Sequence, residues 1–438
     1  MSQLKVGIAE RVITPPIGVP MGGYALRSGP AKGVHDNLHA RALVIELGSE
    51  LFVLVSLELL YPTQEIVEKL RTVVWRELGA NVDNIMVTAV HTHSGPSVFG
   101  IDSEPERSCL DHYWRLVPSL VASAVLEANE RVSAAKVRLG KGRLDGWTVN
   151  RRKPQSMLLD NDVLTILFED SEGPKAAIVN FACHAVVLGH NNLFISADYP
   201  GAVSRTFERL TSAKTIFLPG ACGDINPMTP GTSLENVYDR SIGTFRDVEE
   251  MGTAIACEAV KSIMGQKPSE VDVLSSKRCR VELETLKIPE VKPEEVEILE
   301  KELEKKSAEE LTTGQLRTKL ALARWSLEAA HRLQMRARGS RLTTEVQAVR
   351  LGQTAIVGLP GEPFVEVGLE VKSFSPSRLT IVASYTNDAI GYVPTLEVYD
   401  EGGYEVTPPA CLVAKGSAEK LTEEALRLLR SLFQGGTP

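Results

Sequence analysis

The sequence lacks the features that mark several large classes of protein. It contains no run of about 18 apolar residues, so we expect no segment that spans a membrane. The N-terminus has no charged stretch followed by a long apolar one, so we expect no secretory signal. The formal net charge is -8, and no dense run of lysine and arginine occurs. This argues against a nucleic-acid-binding protein, which needs a basic face.

Cysteine is also scarce and widely spaced. The 438 residues include six cysteines, and no two of them form a Cys-x-x-Cys pair. In a chain of this length, the pattern favours reduced, buried thiols over a disulfide framework. Together with the missing secretory signal, it predicts a soluble, cytoplasmic protein. Its oligomeric state stays open.

Short apolar runs alternate with helical patterns along most of the chain. This alternation predicts an α/β fold, with mixed β-sheets flanked by helices. The length allows one large domain with an insertion or two domains that share a core, and we expect a single domain over residues 1–438. The predicted strands lie at 4–8, 40–46, 51–57, 84–90, 162–168, 176–182, 215–218, 345–351, 354–358 and 379–384. The predicted helices lie at 63–79, 108–130, 200–210, 248–264, 363–372 and 418–433.

Residues 292–338 differ from the rest of the chain. They are rich in lysine and glutamate, poor in glycine and helical in pattern, with a predicted break near Thr312–Gly314. These properties predict a charged helical hairpin inserted into the domain, with much of its surface in solvent. The hairpin can act as a spacer arm or as a lid over substrate, and we favour the spacer.

The clearest local motif is Val90-His-Thr-His-Ser-Gly-Pro96, at the end of a predicted buried strand. His91 and His93 face the same side only if extended backbone continues through the turn. One of them can therefore bind a metal ion while the other faces substrate. An isolated His-x-His motif is weak evidence, however, and the two side chains can equally be hydrogen-bonded loop histidines.

A further histidine, His184, closes the apolar run that begins at Asn180, and His190 follows soon after. Histidines clustered at strand ends favour a metal site, because imidazole suits zinc. A catalytic zinc site needs about three protein ligands and one open position. The alternative is that His184 is simply the polar residue that ends a strand.

Two turns carry further candidate groups. The Gly-rich turn from Pro219 to Pro227 can offer backbone N–H groups to a substrate oxygen. Cys222 in this turn can be a nucleophile, but a small buried residue is the favoured interpretation. Glu362 lies on a stiff turn between two prolines, and its alternative role is to complement the dipole of the following helix.

Taken together, these segments resemble the neutral, non-lysosomal ceramidase family. The matching pieces follow the family's order and extend over most of residues 5–405, and the ordered set is highly specific. They are Met21-Gly-Gly-Tyr24, Ala40-Arg-Ala42, His91 with Thr92-His-Ser-Gly-Pro96, Asn150-Arg151, His184 with Asn192 and Ser196-Ala-Asp198, Gly223-Asp224 with Pro227, Pro360-Gly-Glu362 and Gly391-Tyr-Val393. The resemblance implies a single ceramidase-like catalytic domain that hydrolyses an amide (N-acyl) bond of a small-molecule substrate.

The resemblance also implies the ligands of a zinc ion. In the family, zinc is held by the first histidine of His-Thr-His, the histidine that closes the later strand, the Pro-Gly-Glu glutamate and a tyrosine of the late loop. These match His91, His184, Glu362 and Tyr392. Zinc lowers the pKa of its bound water from about 15.7 to about 7, so that hydroxide can attack at neutral pH.

The catalytic groups follow partly from the resemblance and partly from this chemistry. The family's second loop tyrosine matches Tyr404, and its Asn-Arg arginine matches Arg151. We expect both, together with His93, to stabilise the tetrahedral oxyanion. His93 can also pass a proton to the leaving amine. Asp198 or Asp224 can orient a ligand histidine, or both can be turn residues.

Some positions depart from the family pattern. Asn226 stands where ceramidases carry a serine, and we expect it to contact substrate. The chain ends soon after the last matching motif, so we expect a short member of the family without its C-terminal β-sandwich. An ester or a lactone is the alternative substrate for the same zinc site. A non-catalytic binding protein is a further, less favoured alternative.

Overall fold

The computed structural model describes residues 3–98, 106–305 and 311–434. Within these ranges, no helix combines the length and the apolar character that crossing a membrane requires. The strands are β1 (Leu4–Val12), β2 (Gly33–Val34), β3 (His39–Leu47), β4 (Glu50–Leu57), β5 (Ile85–Ala89), β6 (Ser133–Ala134), β7 (Lys136–Arg143), β8 (Thr148–Asn150), β9 (Asp162–Asp170), β10 (Gly173–Phe181), β11 (Phe194–Ile195), β12 (Lys214–Pro219), β13 (Ile225–Pro227), β14 (Leu274–Glu284), β15 (Arg341–Leu351), β16 (Thr354–Gly358), β17 (Glu362–Pro363), β18 (Leu379–Ala383) and β19 (Tyr392–Val393). The α-helices are α1 (Gln64–Leu78), α2 (Glu106–Glu130), α3 (Asp198–Thr211), α4 (Phe245–Ile263), α5 (Pro293–Glu304), α6 (Leu311–Arg336), α7 (Val365–Phe374), α8 (Val398–Glu401) and α9 (Ser417–Gln434).

Three mixed sheets form the framework, and each contains one pair of adjacent parallel strands. The strand orders are β5-β4-β3-β1-β6, β12-β10-β9-β7 and β14-β15-β16-β18. The parallel pairs are β4 with β5, β10 with β12, and β16 with β18. Parallel neighbours need a crossover connection, and α1, α3 and α7 lie in these connections. The prediction of mixed sheets flanked by helices is confirmed.

The first crossover helix, α1, follows from local sequence signals. Thr63 caps the N-terminus of α1, because its hydroxyl accepts a hydrogen bond from the Ile66 N–H. Gly79 ends the helix with φ 68°, a left-handed conformation in which glycine has no Cβ penalty. In β4 the residues from Phe52 to Leu57 are all buried. This is the pattern of a strand that is covered on both faces.

The three sheets share one hydrophobic core. A single cluster of buried side chains joins Leu54 of the first sheet, Ile178 of the second and Ile356 of the third. The sheets therefore pack on one another, and the carboxyl ends of their parallel pairs can meet. Polar groups placed at these strand ends are brought into one region.

The predicted helical insertion at 292–338 contains α5 and α6, which pack against each other. The break expected near Thr312–Gly314 does not fall on these residues, which lie within α6. α5 ends at Glu304, and residues 306–310 lie outside the described ranges. The last turns of α6 contact the loop after β18, where Arg332 donates to the carbonyl of Ala389 (2.6 Å) and Arg336 pairs with Asp388 (2.5 Å).

Candidate metal centre and active site

Three predicted site residues follow the carboxyl ends of strands from three different sheets. His91 comes two residues after β5, His184 three residues after β10, and Glu362 four residues after β16. His91 has φ 64°, which is uncommon for a residue with a side chain. Its backbone N–H donates to the carbonyl of Leu59 over 3.0 Å, which fixes the turn.

The side chains of these residues meet in a buried cluster. The Nε2 atoms of His91 and His184 lie 3.3 and 3.0 Å from Oε2 of Glu362. Nε2 of His93 lies 3.1 Å from Nε2 of His91. One ligand atom from each of the three histidines falls within 4.8 Å of the others. The fractional exposures of His91, His184 and Glu362 are 1%, 0% and 4%, so solvent does not compensate their polarity.

Backbone carbonyls set the orientation of both imidazoles. Nδ1 of His91 lies 2.8 Å from the carbonyl oxygen of Leu60, and Nδ1 of His184 lies 2.5 Å from that of Cys222. A carbonyl only accepts, so each Nδ1 carries the hydrogen. In a neutral ring, Nε2 then presents its lone pair to the centre of the cluster. Asp198 and Asp224 make their hydrogen bonds elsewhere, to the N–H groups of Leu188 and Val365 among others, so they do not orient these rings.

The electrostatics of the cluster suit a cation. Burial, together with the charge of Arg151, lowers the pKa of His184 to about 4. Burial and the other two histidines lower the pKa of His93 well below its ordinary value. Burial alone would raise the pKa of Glu362, but His91 and His184 outweigh it and lower that pKa well below the ordinary range. Neutral imidazoles and an ionised carboxylate are the forms that bind a metal ion, so the donor set fits a divalent metal.

A second polar cluster lies beside the first and contains Arg151. Its guanidinium donates from Nε to Glu405 (3.0 Å), from Nη1 to Asn226 (3.1 Å) and from Nη2 to the hydroxyl of Tyr392 (2.9 Å). The Tyr392 hydroxyl is also 3.1 Å from that of Tyr404. The ring centroid of Tyr392 lies 6.3 Å from that of His184. The structure therefore places the predicted tyrosines and arginine next to the histidine cluster.

Asn226 is buried between Arg151 and the following loop. Its Oδ1 accepts from Arg151, and its Nδ2 donates to the carbonyl of Val237 over 2.9 Å. Both ends of the amide thus have protein partners, and the side chain fixes the position of Arg151. The substrate contact expected of Asn226 stays a prediction.

The Met-Gly-Gly-Tyr motif packs against His93. The ring of Tyr24 meets that of His93 edge to face, with centroids 4.9 Å apart. Gly23 has φ 90°, and a Cβ at this position would lie 2.5 Å from Cγ of His93. Nδ1 of His93 is buried without a hydrogen-bond partner among the described residues. This edge of the ring is held by packing, while Nε2 points to the cluster.

Cys222 is buried next to the cluster, and its thiol lies 3.4 Å from the hydroxyl of Tyr385. Burial raises the pKa of this thiol to about 12, so the thiolate that a nucleophile needs is not formed at neutral pH. The contribution of Cys222 to the site is its backbone carbonyl, which receives His184. These observations support the favoured interpretation of a small buried residue.

Several residues of the site were not predicted from the sequence. Tyr61 donates a hydrogen bond from its hydroxyl to Oε1 of Glu362. Tyr385 stacks on His91, with ring centroids 3.9 Å apart and an angle of 11°. Tyr238 donates to Glu405, which in turn holds Arg151. The sequence signal for Tyr61 is weak: it follows the apolar run of β4, as His91 follows β5, but a tyrosine at such a position also suits a core.

The fold and this pair of clusters define an α/β protein with a candidate mononuclear metal centre beside a buried Arg-Tyr group. A family model described as neutral/alkaline non-lysosomal ceramidase, N-terminal, matches residues 4–236, just over half of the chain. The chain therefore belongs to the neutral/alkaline non-lysosomal ceramidase family, as the sequence motifs predicted.

Relatives agree with this assignment, and a solved structure shares the fold. Neutral ceramidase A of Dictyostelium discoideum is 26% identical over 266 residues, which are 53% of this chain and 37% of that protein. Neutral ceramidase of Mycobacterium tuberculosis is 24% identical over 469 aligned positions, 87% of this chain and 70% of that protein. The crystal structure of neutral ceramidase from Pseudomonas aeruginosa superposes with a TM-score of 0.77 at 20% identity, over 99% of this chain and 75% of that chain. In several relatives the matched part spans only about a third of the protein.

Proposed function

We propose that this protein is a zinc-dependent hydrolase that cleaves an amide (N-acyl) bond by attack of water. One observation carries most of the proposal. Two imidazole Nε2 atoms face one carboxylate oxygen at 3.3 and 3.0 Å in a buried cluster. His91, His184 and Glu362 are the three protein ligands that a catalytic zinc site needs, with room for an open position. We propose Tyr392 as a fourth ligand at the edge of the cluster.

Bound zinc would lower the pKa of a coordinated water from about 15.7 to about 7 and polarise the scissile carbonyl. The protein supplies the remaining groups. Arg151 has its guanidinium fixed on three sides, so it needs little reorganisation to stabilise negative charge. Tyr404 is in contact with this group through Tyr392, and its side chain is 43% exposed, so it lies on the solvent side of the Arg151 cluster. Preorganised donors of this kind stabilise a developing oxyanion.

His93 is the candidate for proton transfer. It lies 3.1 Å from His91, and its pKa is lowered well below the ordinary value by burial and by the neighbouring histidines. The ring is therefore neutral at pH 7, the form that can take up a proton. It would take this proton from the attacking water and return it to the leaving amine, which cannot depart as an anion.

The family assignment gives the first substrate class to test. The relatives are named neutral ceramidases, and one solved neighbour is a ceramidase complexed with C2. We propose an N-acyl amide, beginning with ceramides, as the substrate of this chain. A cytoplasmic location remains a further proposal.

Metal analysis combined with a substrate panel tests this function. We expect close to one zinc per chain and hydrolysis that is lost after chelation and restored by zinc. His184→Ala should lose the metal, whereas His112→Ala, at an exposed position on α2, should keep both metal and activity. Matched amide and ester substrates with the same acyl group identify the bond that is cleaved. An active protein that contains no metal and is insensitive to chelators would contradict the proposal. Activity on esters alone would show that the protein is an esterase and not an amidase.

A further inference from the structure

Tyr61 is a buried tyrosine whose side chain reaches a candidate metal ligand. It lies beyond the end of β4 and is only 7% exposed. Its hydroxyl donates a hydrogen bond to Oε1 of Glu362. A buried phenol normally finds a hydrogen-bond partner, but this partner is the carboxylate that faces both histidines. The contact therefore bears on the site as well as on packing.

The two oxygens of Glu362 have different partners. Oε2 lies near the Nε2 atoms of His91 and His184, whereas Oε1 accepts from Tyr61. A carboxylate can bind a metal through one oxygen or through both. With Oε1 held by Tyr61, only Oε2 is directed to the position between the histidines. One-oxygen binding leaves space for water and for a substrate oxygen, which hydrolysis requires.

The ring of Tyr61 is fixed by aromatic neighbours. It meets the ring of His91 edge to face, with centroids 5.0 Å apart, and lies 6.1 Å from that of Tyr385. Tyr385 in turn stacks on His91 at 3.9 Å. These contacts restrict rotation of the Tyr61 side chain, so its hydroxyl cannot easily leave Glu362.

Adjacent residues of one short segment thus orient two different ligands. The carbonyl of Leu60 accepts from Nδ1 of His91 at 2.8 Å, and the hydroxyl of Tyr61 donates to Glu362. The first contact uses the main chain and cannot be removed by substitution. The second uses a side chain and can be removed by deleting one oxygen atom.

We propose that Tyr61 is a positioning residue for Glu362: its hydrogen bond directs a single carboxylate oxygen to the metal and keeps the open position free. This inference rests on the proposed zinc-dependent function. Partners that orient metal ligands typically change metal affinity about 10–100-fold when they are removed. Tyr61 does not touch the substrate in this role and acts only through Glu362.

The test is zinc affinity, measured by chelator competition on Tyr61→Phe. We expect zinc to bind about 10–100-fold more weakly and kcat to fall more than KM changes. The thermal midpoint of the metal-free protein should stay close to that of the wild type. Tyr113→Phe is the matched control, because it also deletes a buried hydroxyl, one on α2 that donates to the carbonyl of Ile13. The control should bind zinc as the wild type does.

A double-mutant cycle separates positioning from a general structural effect. If Tyr61 acts through Glu362, then Tyr61→Phe should weaken zinc binding little further in a Glu362→Gln background. Equal losses in both backgrounds would overturn the proposal, as would zinc affinity in Tyr61→Phe within about twofold of the wild type. If the wild type itself binds no zinc, the proposed function fails instead.

A zinc-loaded crystal structure of the wild type gives a check that needs no variant. The Tyr61 hydroxyl should remain hydrogen-bonded to the Glu362 oxygen that does not bind zinc. A glutamate that binds through both oxygens, with Tyr61 turned away, would overturn the inference even if Tyr61→Phe failed to fold.

Discussion

Arg151 donates a hydrogen bond from Nη2 to the hydroxyl of Tyr392 across 2.9 Å, and this contact joins the two halves of the candidate site. On one side, Tyr392 lies beside His184. On the other side, Arg151 is held by Glu405 and Asn226. Burial raises the pKa of Tyr392 well above its ordinary value, and Arg151 opposes this increase. The hydroxyl therefore keeps its proton unless a stronger cation binds it.

This position predicts that Tyr392→Phe affects the metal as well as the rate. The variant keeps the ring but removes the only side-chain atom that can ligate, so zinc should dissociate more readily and turnover should fall. The measurement is zinc content after dialysis against a weak chelator, in parallel with kcat. Zinc retention equal to that of the wild type would show that Tyr392 serves only the Arg151 cluster.

Tyr404→Phe should differ from Tyr392→Phe in its effect on zinc binding. Its hydroxyl is 3.1 Å from that of Tyr392 and has no described contact with the histidines. We expect zinc to stay bound while kcat falls about 10²–10³-fold, the usual cost of an oxyanion donor. KM should change little, because the hydrogen bond forms mainly in the transition state. Near-normal kcat would show that this tyrosine only packs the loop.

Cys222→Ala should retain substantial activity. Burial raises the pKa of the thiol to about 12, and the carbonyl that holds His184 is kept in the variant. The small cavity should lower the free energy of unfolding by about 1–2 kcal/mol. Steady-state kinetics and thermal unfolding measure the two effects. Complete inactivation of a folded, zinc-loaded Cys222→Ala would favour a cysteine mechanism.

Gly23→Ala should lower activity without removing zinc. Its Cβ would lie 2.5 Å from Cγ of His93 and must displace that ring. Gly146→Ala is a matched control, because Gly146 has a similar φ of 84° but no heavy atom within 4 Å of the position that a Cβ would take. In both variants the free energy of unfolding should fall by about 1–2 kcal/mol, because alanine is disfavoured in the left-handed conformation. Only Gly23→Ala should lower kcat, and equal kcat values would show that His93 tolerates displacement.

Removing the metal should destabilise the whole protein. An ion that binds only the folded state adds about 4 kcal/mol to the free energy of unfolding when its free concentration is about 1,000 times its Kd. Chelation should therefore lower the thermal midpoint of the wild type, and added zinc should restore it. His184→Ala should show little response to either treatment. If zinc does not change the thermal midpoint of the wild type, the histidine cluster is a structural hydrogen-bond network and not a metal site.

The apolar periodicity of the sequence predicted most buried strands but missed some strands at sheet edges. β7 and β14 lie at the edges of their sheets. Their sequences, Lys136–Arg143 and Leu274–Glu284, intersperse charged and apolar residues, and many of their positions are partly or fully exposed. They therefore lack the continuous apolar run that identified β4 and β10. Burial on both faces is what made a strand visible.

The candidate site shows a similar division. His91, His184 and Glu362 belong to motifs with unusual local composition, and the structure brings them together. Tyr61 was missed because a tyrosine after an apolar run looks like an ordinary core residue. The sequence offers Asp198 and Asp224 as partners of the histidines, but backbone carbonyls fill that role. Every residue type has a backbone carbonyl, so these main-chain partners could not be predicted from the sequence.

The position of the ligands along the chain has a consequence for biosynthesis. His91 and His184 belong to the first two sheets, whereas Glu362 depends on the third, whose strands begin at Leu274. Ribosomes deliver the chain from its N-terminus, and early segments can begin to fold before later ones exist. A nascent chain that has not yet reached the third sheet therefore contains His91 and His184 but lacks Glu362. The proposed metal ion would then be captured only after the third sheet has docked, so we expect its loading late in the maturation of this protein.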